Sequence, residues 1–426
     1  MIKIMRFGEV PADAVFTRVS MPANVSNIVS GIISDVRARG DAALFDYTRR
    51  FDHADLTALE VTADEIAEAI ENTGKDFLHV LELAAANIRK YHERQLRNGF
   101  SINGEDGIIM GQRVIPLEKA GLYVPGGTAS YPSTVLMDAI PAKLAGCCEV
   151  CMTTPPRKDG SVDPHILAAA HVAGVDRIFK VGGAQAIAAL AYGTESVPKV
   201  DKIVGPGNAY VAEAKKQVFG EVAIDMIAGP SEILIIADSA SDPSYLAADL
   251  LSQAEHDKLA SAVLITDSAE LAQKVSAEIE KQLTLLERYD IARASIDNNG
   301  KIIIADDLKD AVCISNKIAP EHLELCVEDP FALLDSVRNA GSVFMGRYCP
   351  EALGDYLAGP NHTLPTSGTA RLSSPLSVDD FVKKSQFTYF TEKALGKVAA
   401  DVAAFANAEG LTAHARSALI RTEGKK

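Results

Sequence analysis

The stretch Val181-Gly-Gly-Ala-Gln185 reads as an apolar strand that runs directly into a glycine turn and then a helix. Val124-Pro-Gly-Gly127 and Val204-Gly-Pro-Gly-Asn208 share that design. Such turns lie at the carboxyl edge of a parallel sheet, where free backbone N–H groups at a helix N-terminus can hold a phosphate or a dinucleotide. None is the G-x-G-x-x-G fingerprint, and glycines make tight turns in any α/β protein, so one instance carries little. Three in one segment give the nucleotide reading equal footing. Tyr123, Gln185 and Asn208, a ring and two amides at these turns, are the polar groups expected to face such a ligand.

Working outward, short apolar runs at 122–124, 150–153, 177–181, 202–204 and 233–237 alternate with helical stretches, the sequence form of a parallel sheet with crossover helices. A second series follows: a helix at 243–256, strands at 262–266 and 301–305 separated by a helix, a helix ending near 318, and apolar runs at 323–327 and 343–345. Before these, from about 22 to 97, apolar residues recur at helical spacing, as in Val25, Ile28, Val29, Ile32, Ile33 and Val36. A short hairpin is expected between 99 and 117. After Pro375 the pattern returns to helix, at 392–408 and 412–420, with a break at Gly410. The expected fold is α/β, with two tandem Rossmann-like doubly wound units and helical N-terminal and C-terminal appendages. The expected divisions are 1–115, 116–238, 239–375 and 376–426.

With 426 residues the chain exceeds one hydrophobic core, and its 47% apolar and 23% charged content suits a globular enzyme. The net charge of −15 argues against a nucleic-acid backbone or an anionic membrane as partner and favours a small molecule. No window reaches the roughly 20 uninterrupted apolar residues of a membrane span, and the first residues lack a signal-peptide core. A cytoplasmic location is expected. Six cysteines are too few for a disulfide scaffold in so long a chain. Cys147, Cys148 and Cys151 sit in or beside an apolar strand, where a free thiol is ordinary core material.

His53, His79, His92, His165 and His171 stand without a repeating polar partner and read as surface or satisfied core residues. His256, His322, His362 and His414 each sit in a polar cluster, with Gln253, Glu321, Asp355 and Glu409 nearby in sequence. Imidazoles and carboxylates so grouped serve metal ligation or proton transfer. On a helix of about 100° per residue, Asp249, Gln253 and His256 share a polar stripe beside a core stripe of Leu246, Ala247, Leu250, Leu251 and Ala254. Gln253 and His256 could therefore reach one ion, although a solvated helix face reads the same way. The adjacent Glu321 and His322 cannot share a face but can flank one reacting carbon.

Seven stretches, Gly121-Leu-Tyr-Val-Pro-Gly-Gly127, Val181-Gly-Gly-Ala-Gln-Ala-Ile-Ala188, Val204-Gly-Pro-Gly-Asn-Ala-Tyr-Val211, Ala228-Gly-Pro-Ser-Glu232, Gln253-Ala-Glu-His-Asp257, Ala319-Pro-Glu-His-Leu-Glu324 and Gly354-Asp-Tyr-Leu-Ala-Gly-Pro-Asn-His362, resemble the histidinol dehydrogenase family in order and spacing. The resemblance spans about residues 20 to 420. It implies a homodimer with one zinc per subunit that oxidises L-histidinol through histidinal to L-histidine with two NAD, the last steps of histidine biosynthesis. It further implies Gln253, His256, Asp355 and His414 as zinc ligands, His414 coming from the partner chain. Glu321 and His322 would be the acid–base pair, Ser231, His362 and Glu409 substrate contacts, and Tyr123, Gln185 and Asn208 the NAD side. By the same resemblance, 116–238 is the NAD-side unit, 239–375 the zinc and substrate unit, and 376–426 an arm that completes the partner's site. Two other readings stay open on the residues alone: a sibling dehydrogenase acting on another polar primary alcohol, and a metal-dependent hydrolase or binding protein whose glycine turns hold no cofactor.

Overall fold

Strands form where the apolar runs predict them. The computed structural model describes residues 1–18, 25–126 and 130–423. In chain order its strands are β1 Lys3–Arg6, β2 Phe100–Asn103, β3 Ile109–Pro116, β4 Lys119–Tyr123, β5 Glu149–Thr154, β6 Arg177–Lys180, β7 Lys202–Val204, β8 Ala223–Ile224, β9 Glu232–Ala237, β10 Ser261–Thr266, β11 Lys301–Ile304, β12 His322–Cys326, β13 Ser342–Met345 and β14 Val382–Tyr389.

The first large sheet has the order β6-β5-β4-β7-β8 and the second β1-β11-β10-β9-β12-β13, with every pair parallel. Each is doubly wound: the first strand of its series, β4 or β9, lies mid-sheet, and the order reverses beside it. The expected α/β class with two Rossmann-like units is thus observed. One strand changes sheets. The run 233–237, read as the end of the first series, is the centre of the second sheet, where β9 is flanked by β10 and β12. Its continuous burial suits a central parallel strand, but hydrophobicity alone does not say which sheet a strand joins. The edge of the first sheet is the two-residue β8 instead.

The stripe read at 25–36 is real: Val29, Ile32, Ile33 and Val36 of the helix Ser26–Arg39 are buried against the first sheet's core. They meet the helix Gly183–Tyr192, whose alanines let it lie almost wholly inside. Residues 1–115, read as one helical region, also supply β1 to the edge of the second sheet, through Lys3↔Lys301 pairing. Four residues that pair with a strand almost 300 positions away leave no local helical or hairpin signal.

The chain divides into two compact units, residues 1–95 with 117–381 and residues 96–116 with 382–426. Both large sheets belong to the first. The smaller unit is an antiparallel sheet, β14-β3-β2, with the helices Glu392–Ala408 and Thr412–Leu419 packed on each other through Ala403, Ala406 and Ala415. Asp106 ties its hairpin to the first of these helices by ion pairs to Lys393, at 2.6 Å, and Lys397. The expected return to helix after Pro375 is delayed by β14, whose residues are largely exposed and so show no buried-strand run. Among the described residues no helix is long and apolar enough to cross a membrane.

Candidate active site

The site is built at the amino ends of β9 and β12, around the main chain of one residue. The Glu232 N–H donates to Glu321 Oε2 at 2.8 Å, and the Glu232 carbonyl lies 2.9 Å from His322 Nδ1. A carbonyl can only accept, so Nδ1 carries the proton and Nε2 keeps its lone pair. Burial lowers the His322 imidazole to about 4, leaving it neutral, and pushes the Glu321 carboxyl well above the usual range. The Glu232 side chain pairs with Arg18, whose Nη2 also donates to Ala319 O at 3.3 Å. The expected Glu–His pair is therefore buried and held from the main chain, rather than lying on an exposed loop.

Helices return the other side chains to this edge. The helix Pro243–Ala254 follows β9 and runs back along the sheet, so its last turn, with Gln253, reaches the amino ends. It stops short of the expected 256; the His256 N–H closes a tight turn on Gln253 O at 3.2 Å. Gln253 is 1% exposed, and among the described residues its Oε1 has no hydrogen-bond partner. The short helix Glu351–Tyr356 packs on the same helix and carries Asp355. Asp355 Oδ1 lies 3.5 Å from His362 Nδ1. Burial works against the Asp355 charge, but His362 and then His322 hold its carboxyl down at about 2. Burial likewise opposes the His362 charge, and Asp355 outweighs it and raises the imidazole. His256 is lowered by burial, with the charge of Asp355 opposing. Ser231 stands half-buried just before β9, its carbonyl accepting from Ser261 N–H at 3.0 Å.

Glu351, which the sequence did not single out, points into the cluster with Oε1 3.5 Å from His322 Nε2. Ligand atoms of His322, Glu351 and Asp355 lie within 4.8 Å of one another. Burial and then Asp355 push the Glu351 carboxyl up to about 10. At a helix start it reads as an ordinary first-turn acid; only its burial distinguishes it. Glu409, which ends the helix Glu392–Ala408, and His414 on the next helix belong to the smaller unit, where both are exposed.

The expected NAD-side residues share one cleft of about 1520 Å³, lined by Tyr123, Gln185 and Asn208 and by Arg50, Asp52 and Arg157. It opens at the carboxyl ends of β4 and β7, where the strand order reverses. Asn208 caps the helix Ala209–Val218, accepting from Tyr210 N–H and Val211 N–H at 3.0 and 3.2 Å. The Tyr123 hydroxyl accepts from Gly183 N–H at 3.1 Å, and burial raises it to about 12. Gly205 has to be glycine: its φ is +115°, and a Cβ there would stand 2.2 Å from Tyr123 O. Gly127 of the first turn lies outside the described residues. The cleft side and the His322 side are joined by the 361–363 segment. Asn361 Nδ2 donates to Met137 O at 2.6 Å, and Thr363 Oγ1 to Asp138 Oδ1 at 2.8 Å, both on the helix that follows β4.

The imidazole of His256, the ionised carboxylate of Asp355 and the buried amide oxygen of Gln253 are donors of the kinds that suit a borderline cation such as zinc. A buried orphan acceptor costs about 1–3 kcal/mol unless something meets it, so the Gln253 oxygen fits a ligand role.

The histidinol dehydrogenase family model matches residues 17–422. The chain is 58% identical to a histidinol dehydrogenase of Syntrophotalea carbinolica over 402 residues, covering 94% of this chain and 93% of that one. It is 56% identical to that of Clostridium acetobutylicum over 399 residues, covering 94% and 93%. The crystal structure of histidinol dehydrogenase from Elizabethkingia anophelis superposes with a TM-score of 0.94 at 40% identity, covering 99% of this chain and 98% of that one. On motif order, extent and architecture together, the chain belongs to the histidinol dehydrogenase family of NAD-dependent oxidoreductases.

Proposed function

We propose that the protein oxidises L-histidinol through L-histidinal to L-histidine in the cytoplasm, using two NAD and one zinc per subunit, as the last steps of histidine biosynthesis. The observation that carries this reading is the buried Gln253 Oε1, without a hydrogen-bond partner among the described residues, in a chain that also sets Asp355 against His362 and holds Glu321 and His322 on the Glu232 main chain. Gln253, His256 and Asp355 would hold the zinc, with His414 of a partner chain as fourth ligand. Zinc has no redox chemistry and would serve as a template that fixes and polarises the substrate. NAD in the Tyr123, Gln185 and Asn208 cleft would accept the hydrides.

The chain's own residues then divide the work. His322, neutral and with Nε2 unprotonated, takes the alcohol proton in the first oxidation. Glu321, whose burial makes its carboxylate a stronger base, takes a proton from the water that hydrates the aldehyde. Ser231, His362 and Glu409 orient the substrate. A cysteine thiohemiacetal is the other route to aldehyde oxidation. Cys147, Cys151 and Cys326 are buried, and burial pushes each thiol up, which disfavours the nucleophilic thiolate.

Incubation with histidinol, NAD and zinc should produce reduced nicotinamide. Chelation should stop it and zinc restore it; a chelated, zinc-free protein with full activity would overturn the metal reading. The smaller unit supports a homodimer with sites shared between chains, corresponding to the expected arm at 376–426. It exposes Phe387, Tyr389, Phe390, Phe405 and Ile420, more apolar surface than a free arm would need. Mixed subunits carrying Gln253→Ala and His414→Ala should regain activity that neither variant has alone. Verified heterodimers that stay inactive would place each site within one chain.

A further inference from the structure

Two acids beside the cluster, Glu324 buried and Asp249 half-buried, take no part in the roles given so far. Asp249 lies one helical turn before Gln253 on the helix Pro243–Ala254, and Glu324 lies two residues after His322 on β12, so each shares a face with a site residue. A carboxylate oxygen of each and the Cys326 sulfur lie within 4.8 Å of one another. Glu324 is 0% exposed. Its Oε1 also accepts the Glu351 N–H at 2.7 Å, at the start of the helix that carries Asp355. Its Oε2 accepts the Cys326 thiol at 3.7 Å. One side chain thus touches the three elements that deliver Gln253, His322 and Asp355.

We propose that the Asp249–Glu324 pair is a positioning device for the zinc site, setting the spacing between the Gln253 helix, the His322 strand and the Asp355 helix. An apolar pair could hold helix to strand without taking two carboxyls out of water, and such replacements are often neutral or stabilising. Apolar packing, however, specifies neither the angle of the Gln253 helix nor the N–H of Glu351. Hydrogen bonds to fixed atoms do both.

This inference rests on the zinc reading, so the test measures the metal directly. Zinc affinity of the full-length protein is determined by competition with a chromogenic chelator, beside thermal unfolding of the metal-free form. Glu324→Leu should weaken zinc binding about 10–100-fold, the range for groups that orient metal ligands, whereas Glu324→Gln, which can still accept from Glu351 and donate to Asp249, should stay within about threefold of wild type. Unfolding of the metal-free leucine variant should move little. Glu324→Leu binding zinc like wild type, or Glu324→Gln falling as far as the leucine variant, would overturn the proposal. If the leucine variant does not fold, Asp249→Ala and Asp249→Asn give the same contrast, and equal affinities for those two would overturn it. A wild-type protein without zinc affinity would instead overturn the metal reading, and this inference with it.

Discussion

Glu321→Gln is expected to leave the oxidation of histidinol to the aldehyde level near the wild-type rate and to slow oxidation of supplied histidinal by about 10²–10⁴-fold, the usual contribution of a positioned general base. The amide keeps the size of the carboxyl and can still accept the Glu232 N–H that now meets Oε2 at 2.8 Å, so the local geometry should survive. What disappears is the ability to take a proton from water. The first oxidation needs no water and should not register the loss. Separate assays with the alcohol and the aldehyde as starting substrate measure the two steps, and equal damage to both would refute the division of labour.

His322→Asn should show the opposite pattern, with the alcohol step slowed most, again by about 10²–10⁴-fold, and aldehyde oxidation affected less. The asparagine amide can replace Nδ1–H as donor to the Glu232 carbonyl, but it offers no basic nitrogen where Nε2 stands. The low position of the imidazole, at about 4, means that its neutral form prevails throughout the physiological range. An unchanged alcohol step in this variant would remove His322 as the base. Together the two variants separate the steps of a four-electron oxidation that a single overall rate conceals.

The parts of the fold legible in the sequence were those with local causes. Apolar runs located the strands of both large sheets, the edge strands β1 and β8 excepted, to within a few residues, because a central parallel strand is buried on both faces. Glycine turns marked the carboxyl edge of the first sheet, where Gly205 must approach Tyr123 O. Parts with distant causes were hidden. β1 pairs with β11 across almost the whole chain, β9 belongs to the sheet after it, and the solvated β14 resembles a loop leading into a helix. The same division applies to the site. Gln253, His256, Glu321, His322, Asp355 and His362 stood out because imidazoles, amides and acids cluster in short stretches. Glu351, Glu324 and Arg18 did not, since one acid at a helix start, one in a strand and one arginine before a helix are commonplace until burial and partners are known. Glu232 was hidden for another reason: it acts through its main chain, which no residue type announces.

The most direct test is the count of reduced nicotinamide formed per histidinol consumed, followed by absorbance with zinc present while the product is identified. Two per histidinol, with histidine as the product, is the expected result. One per histidinol, with histidinal accumulating, would contradict a site in which His322 and Glu321 serve successive oxidations.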